Sequence, residues 1–327
     1  MLHLRTEDVA MLDSLARLET AQTFRRMTFP GQLDAPAPHL EWLLEAPRER
    51  NAALDALFYN IGNLSDDEAH GLAPRYAAEG AILEVGPSDA PAINIWRGRE
   101  DYGDRGGDYA ALVVAGVGSS ALGTAAFARD VADAAGRPVL AVVSGYGLAD
   151  LAAEALGGYF LFGALNSARH MFEWLDDLRL DRPSDVAEAA RSGTFLTNPA
   201  DLVRMSEDVC TVIHLLSGPT RFRWLVGHSK GNLVLSEALF DLREENRAAF
   251  DAVRAGTEMI TVSAKIAMPR GFARIIDVMG DLDGFGALNS RQDIPTDVEV
   301  PMAWHHTNIE LPLHLPVTET LRPIFAG

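Results

Sequence analysis

The sequence predicts an α/β protein with a mostly parallel central sheet and helices on both of its faces. Three observations carry that prediction. Two apolar runs without alternation, at 110–115 and 139–143, flank a helical stretch at 121–135, as expected of a parallel βαβ unit covered on both sides. The stretch FRWLVGHSKGNLVLSEAL at 222–239 reads as a buried strand, a tight turn carrying Ser229, and a helix with an apolar face at Leu233, Val234, Ala238 and Leu239. Further apolar strands are spelled at 259–264, 273–280 and 298–304.

At 327 residues the chain can bury a large core. Its 28 basic against 46 acidic residues, net −18, argue against nucleic acid or an anionic membrane surface as partner. Cys210 is the single cysteine, which excludes an internal disulfide and a cysteine-based metal site. No basic and apolar leader opens the chain and no run of about 18 apolar residues follows, so a cytoplasmic protein without stable membrane insertion is expected.

Taken in order, helical patterns at 6–28, 38–59 and 66–79 make residues 1–80 a helical N-terminal extension with no visible catalytic constellation. The α/β domain then spans 81–327. It opens with short β-like runs at 81–85 and 92–96, separated by the turn signal GPSDAP. The βαβ unit follows, with the Gly-Ser turn GVGSS between its first strand and its helix. This turn lacks the lysine of a P-loop and the third glycine of a dinucleotide fingerprint, so no nucleotide cofactor is expected. Residues 148–200 exceed a normal connection and carry the aromatic patch GGYFLFG. They read as a cap over the site, with Phe160 and Phe162 against substrate, or alternatively as a homodimer surface. A helix at 201–217 leads to the Ser229 turn, and a last helix starts near Pro316.

The chemistry of that turn explains its spelling. A serine hydroxyl becomes a nucleophile when a sharp turn holds it where a base can take its proton and backbone N–H groups can meet the developing oxyanion. Side chains two residues either side must be minimal, and Gly227 and Gly231 satisfy this. An ordinary capping serine in a Gly-rich turn is the other reading. Lys230, one of two lysines with Lys265, stands at a helix start, where the helix dipole disfavours a cation.

At G-H-S-K-G the segment resembles the α/β-hydrolase superfamily. Asn232 departs from the small residue many members carry there, which suggests extra room between helix and strand. The resemblance implies an α/β-hydrolase fold with chain order Ser, then Asp or Glu, then His. It also implies an oxyanion hole formed by the N–H groups of Val117, in the AGVGSS turn, and of Lys230. The short link between the strands at 259–264 and 273–280, with Pro-Arg in it, is similar to class 3 lipases. For the acid, the G-x-x-D spacing favours Asp283, whereas the lipase-like G-D spelling gives Asp281. For the base, His305 and His306 end the last strand and His314 stands two residues before the final helix. His314 fits the class 3 pattern and is placed first. A metal site made from the same histidines and aspartates is the competing use, and none is expected. The reading is therefore a cofactor-free serine esterase or lipase acting on a small-molecule or lipid-like ester or thioester. An acyltransferase or polyester depolymerase on the same fold, and a non-catalytic scaffold, are the alternatives.

Overall fold

A computed structural model describes residues 55–72, 79–116, 119–144 and 207–327. Among these, eight strands form one sheet in the order β2-β1-β4-β3-β5-β6-β7-β8. The strands are β1 (Ile82–Val85), β2 (Ile93–Trp96), β3 (Asp108–Val114), β4 (Val139–Val142), β5 (Arg221–His228), β6 (Glu258–Val262), β7 (Ile275–Gly280) and β8 (Val298–Val300). From β4 to β8 all neighbours run parallel, and β1 pairs antiparallel with both β2 and β4. The GPSDAP signal thus closes a hairpin, with the Gly86 N–H donating to Ala92 O at 2.9 Å.

The helices are α1 (Asp66–Gly71), α2 (Arg99–Tyr102), α3 (Ala121–Ala135), α4 (Glu207–Ser217), α5 (Lys230–Glu245), α6 (Arg247–Gly256), α7 (Gly284–Leu288) and α8 (Val317–Ala326). The α3 ends follow its residues: Ser120 accepts from the Leu122 N–H, and Gly136 closes the helix at φ 63°. The central strands are apolar on both sides because both sides are covered. Val113, Val226, Ile260 and Val278 face α3 and α8, while Leu112, Leu225 and Met259 face α4, α5 and α6. Burying each such side chain contributes about 1.5–3 kcal/mol.

Three expectations change. Residues 55–72, read as part of an extension, belong to the core itself, since Tyr59, Leu64 and Leu72 pack with α3 and β3. The helix expected to run on to 79 ends at Gly71 (residues 73–78 lie outside the described set), and of the expected 38–59 helix only 55–59 are described, helical through 58. The last strand, expected at 298–304, stops at Val300, because Pro301 offers no N–H to the ladder and Met302 turns the chain at φ 56°. The link between β6 and β7 contains no helix, as its length required. Among the described residues, no helix is long and apolar enough to cross a membrane.

Candidate active site

The β5–α5 turn places Ser229 at φ 52°, ψ −120°. A residue with a Cβ is strained there, by about 1–3 kcal/mol, and persists only where its surroundings fix it. The surroundings are tight. A Cβ on Gly231 would stand 2.1 Å from Val114 O, and one on Gly227 would stand 2.2 Å from Asn232 Oδ1. The Ser229 N–H donates to Val262 O at 2.8 Å. Asn232, far from marking spare room, is fully buried and donates to Val262 O and Ala264 O at 3.0 and 2.9 Å, which sews the start of α5 to the end of β6.

The candidate acids, Asp281 and Asp283, follow the next strand but one. After β7, the N–H groups of Asp281 and Leu282 donate to Val300 O and Ala303 O, so the turn is stitched to the chain leaving β8. That stitching leaves Asp281 exposed and turns Asp283 inward, where it caps α7 by accepting from the Gly286 N–H at 2.6 Å. Burial opposes the Asp283 charge, but the hydrogen bond and charge of His305 and the Gly286 N–H outweigh it and hold the carboxyl below its ordinary range.

The base is His305. Its Nε2 stands 3.0 Å from Ser229 Oγ, and its Nδ1 stands 2.9 and 3.0 Å from the two Asp283 oxygens. An ionised carboxylate only accepts, so Nδ1 carries the proton and Nε2 is left to accept from the serine. The rings of Phe58, Phe285 and His228 lie around the imidazole at 6.2, 4.8 and 5.1 Å between centroids.

His314, placed first by the sequence, is not brought to Ser229. Its Nδ1 bonds Leu311 O at 3.0 Å within its own turn. His306 bonds Pro312 O at 3.1 Å, and burial lowers its pKa. What selects among the three is backbone pairing: the Trp304 N–H donates to Leu313 O, the Leu315 N–H to His306 O, and the Thr307 N–H to Phe58 O. Among the described residues, no group of three or more His, Cys, Asp or Glu side chains is placed to hold a metal ion.

Of the two residues expected at an oxyanion hole, Lys230 is the first residue of α5, directly after Ser229, in the turn whose N–H groups point out of the helix end. Its side chain is buried. Val117, Phe160 and Phe162, with the whole 148–200 insertion, lie outside the described residues.

The sequence reading missed the N-terminal contribution. Asp55 accepts from the Ser120 N–H and hydroxyl at 2.9 and 2.6 Å and from the Gly123 N–H at 3.1 Å. Burial, resisted by these donors, pushes its carboxyl up to about 7. Four residues on, the Tyr59 hydroxyl meets the Gly116 N–H and the His228 ring. An Asp and a Tyr at i, i+4 share one helix face, and that was the available signal.

Chemically, the arrangement can withdraw a proton from the Ser229 hydroxyl, hold it on an imidazole whose charge the carboxylate stabilises, and return it to a leaving group. Comparison with known protein families, with curated proteins and with solved structures found no match.

Proposed function

We propose that the chain is a serine hydrolase of the α/β-hydrolase type that cleaves a carboxylic ester or thioester through an acyl-enzyme on Ser229. One observation carries the reading: a serine at positive φ on a strand-to-helix turn, 3.0 Å from an imidazole that is itself bonded to a buried aspartate. As Ser229 Oγ attacks the carbonyl carbon, its proton passes to His305 Nε2. The negative charge on the carbonyl oxygen is met by the Lys230 N–H and a partner from the loop after β3, each such donor contributing on the order of 3 kcal/mol. His305 then protonates the departing alcohol or thiol. Water, deprotonated by the same nitrogen, attacks the acyl-enzyme and releases the acid. The order of Ser229, Asp283 and His305 along the chain, after β5, β7 and β8, supports the α/β-hydrolase assignment.

A fluorophosphonate probe with a p-nitrophenyl ester assay tests this. The protein is expected to label and to hydrolyse the ester, and Ser229→Ala to do neither while keeping its melting temperature. Labelling that survives Ser229→Ala, or a wild-type protein inert in both assays, would refute the reading.

A further inference from the structure

Between the loop that follows β3 and the backbone of His305 runs a chain of hydrogen bonds with one internally consistent direction. The Gly116 N–H lies 2.6 Å from the Tyr59 oxygen. A peptide N–H only donates, so the tyrosine oxygen accepts there and turns its own proton elsewhere. The same oxygen lies 3.1 Å from His228 Nδ1. The other ring nitrogen, Nε2, faces the carbonyl oxygen of His305 at 3.0 Å; a carbonyl only accepts, so Nε2 carries the proton of the neutral ring and Nδ1 accepts from the tyrosine hydroxyl. Every member of the chain is buried.

We infer that Tyr59 and His228 are positioning residues, tying the loop that leads into the oxyanion site to the backbone of the base. The inference rests on the hydrolase reading above. Gly116 stands one residue before Val117, so the plane of its peptide sets the direction in which that loop leaves β3. There is no room for anything larger. A Cβ on Gly116 would lie 2.9 Å from the Tyr59 oxygen, 3.0 Å from His228 Nδ1 and 3.1 Å from Ser229 Cβ. The other end of the same loop is bound by Asp55, through Ser120 and Gly123, so one face of the 55–59 turn grips the loop at both ends. With both its nitrogens committed, His228 stays neutral. Burial and the neighbouring His305 push its pKa down to about 3. A neutral ring beside His305 matters because a second imidazolium would oppose the charge His305 takes from Ser229.

The test is Tyr59→Phe in the full chain, which keeps the packed ring and removes the hydroxyl. Loss of loop alignment is expected to lower kcat on the order of 10- to 100-fold with KM within about threefold, because binding contacts stay and oxyanion alignment does not. Independently of activity, ¹⁵N spectra of the wild-type histidines, with His228 assigned by its loss in His228→Gln, should show the Nε2–H form and no titration between about pH 5 and 8. A titrating or Nδ1–H His228 would overturn the chain of hydrogen bonds without any variant having to fold. An unchanged kcat in Tyr59→Phe, or a change in KM alone, would overturn the positioning role. Failure of the wild type to label with fluorophosphonate would instead sink the hydrolase reading, and with it the role in catalysis, while the tautomer would still decide the bonding.

Discussion

At the scale of single residues, two aspartates two positions apart and three histidines within ten positions offer the same chemistry on paper, and the fold separates them. Asp283 is buried against His305, whereas Asp281 is exposed with its N–H committed to Val300 O. Asp283→Asn should therefore lower kcat on the order of 10⁴-fold, since an amide can donate to His305 Nδ1 and stabilise the wrong tautomer. Asp281→Asn should stay within about twofold, in the range of a neutral surface change. His305→Ala should abolish turnover and His314→Ala should leave it measurable and near wild type, because the His314 ring bonds Leu311 O in its own turn rather than Ser229. Steady-state kinetics on a p-nitrophenyl ester checks all four. Equal losses from the two aspartates, or a dead His314→Ala protein, would contradict the assignment.

At the scale of elements, the approach of α5 to β3 decides whether the Ser229 turn can form. The atom that a Cβ on Gly231 would strike, Val114 O, belongs to the sheet backbone and cannot swing aside. Gly231→Ala should then destabilise by about 1–3 kcal/mol, the usual cost of overpacking, and slow fluorophosphonate labelling because α5 backs away and carries Ser229 with it. Gly256→Ala, where nothing lies within 4 Å, should do neither. Thermal melts and labelling rates of the two variants decide it; equal behaviour would mean the helix start is not under this constraint. The same packing explains what the sequence made legible. Strands buried on both faces must be spelled as unbroken apolar runs, so β3, α3, β4 and the β5–α5 turn could be read within a residue or two of their observed bounds. Which histidine meets Ser229 could not be read, because its placement depends on pairing of 304–306 with 313–315 and on rings from Phe58 and Phe285, contacts that no local pattern encodes. The end of β8 turns on Pro301 and Met302, a signal present in the sequence but outweighed there by the apolar run around it.

At the scale of the whole molecule, buried carboxylates knit the N-terminal segment to the rest, and they make stability depend on pH in a definite direction. Asp130, on α3, accepts from Asn63 Nδ2 at 2.8 Å, and more weakly from Asn60 Nδ2 at 3.4 Å, while its backbone oxygen accepts from the Thr318 hydroxyl of α8 at 3.0 Å. Burial, against those two amides, pushes its carboxyl up to about 7, and repulsion from Asp133 and Glu319 adds to the rise. The folded-state pKa thus lies above the unfolded value near 3.8. Across that window the unfolded chain holds fewer protons than the folded one. The stabilising contribution is therefore full below the unfolded value and is lost as pH rises through about 7. Asp55 acts in the same sense, and His228, depressed to about 3, in the opposite one. The wild-type curve alone mixes these terms. Comparison with Asp130→Asn isolates one of them, since the amide keeps the shape and an acceptor oxygen but does not titrate. The melting temperature of the wild type minus that of Asp130→Asn should grow steadily as pH is lowered from about 8 to about 5. Parallel melting curves across that range would show that Asp130 is already ionised in the folded protein, with its charge carried by the asparagines, and would remove this link between the N-terminal segment, α3 and the pH response.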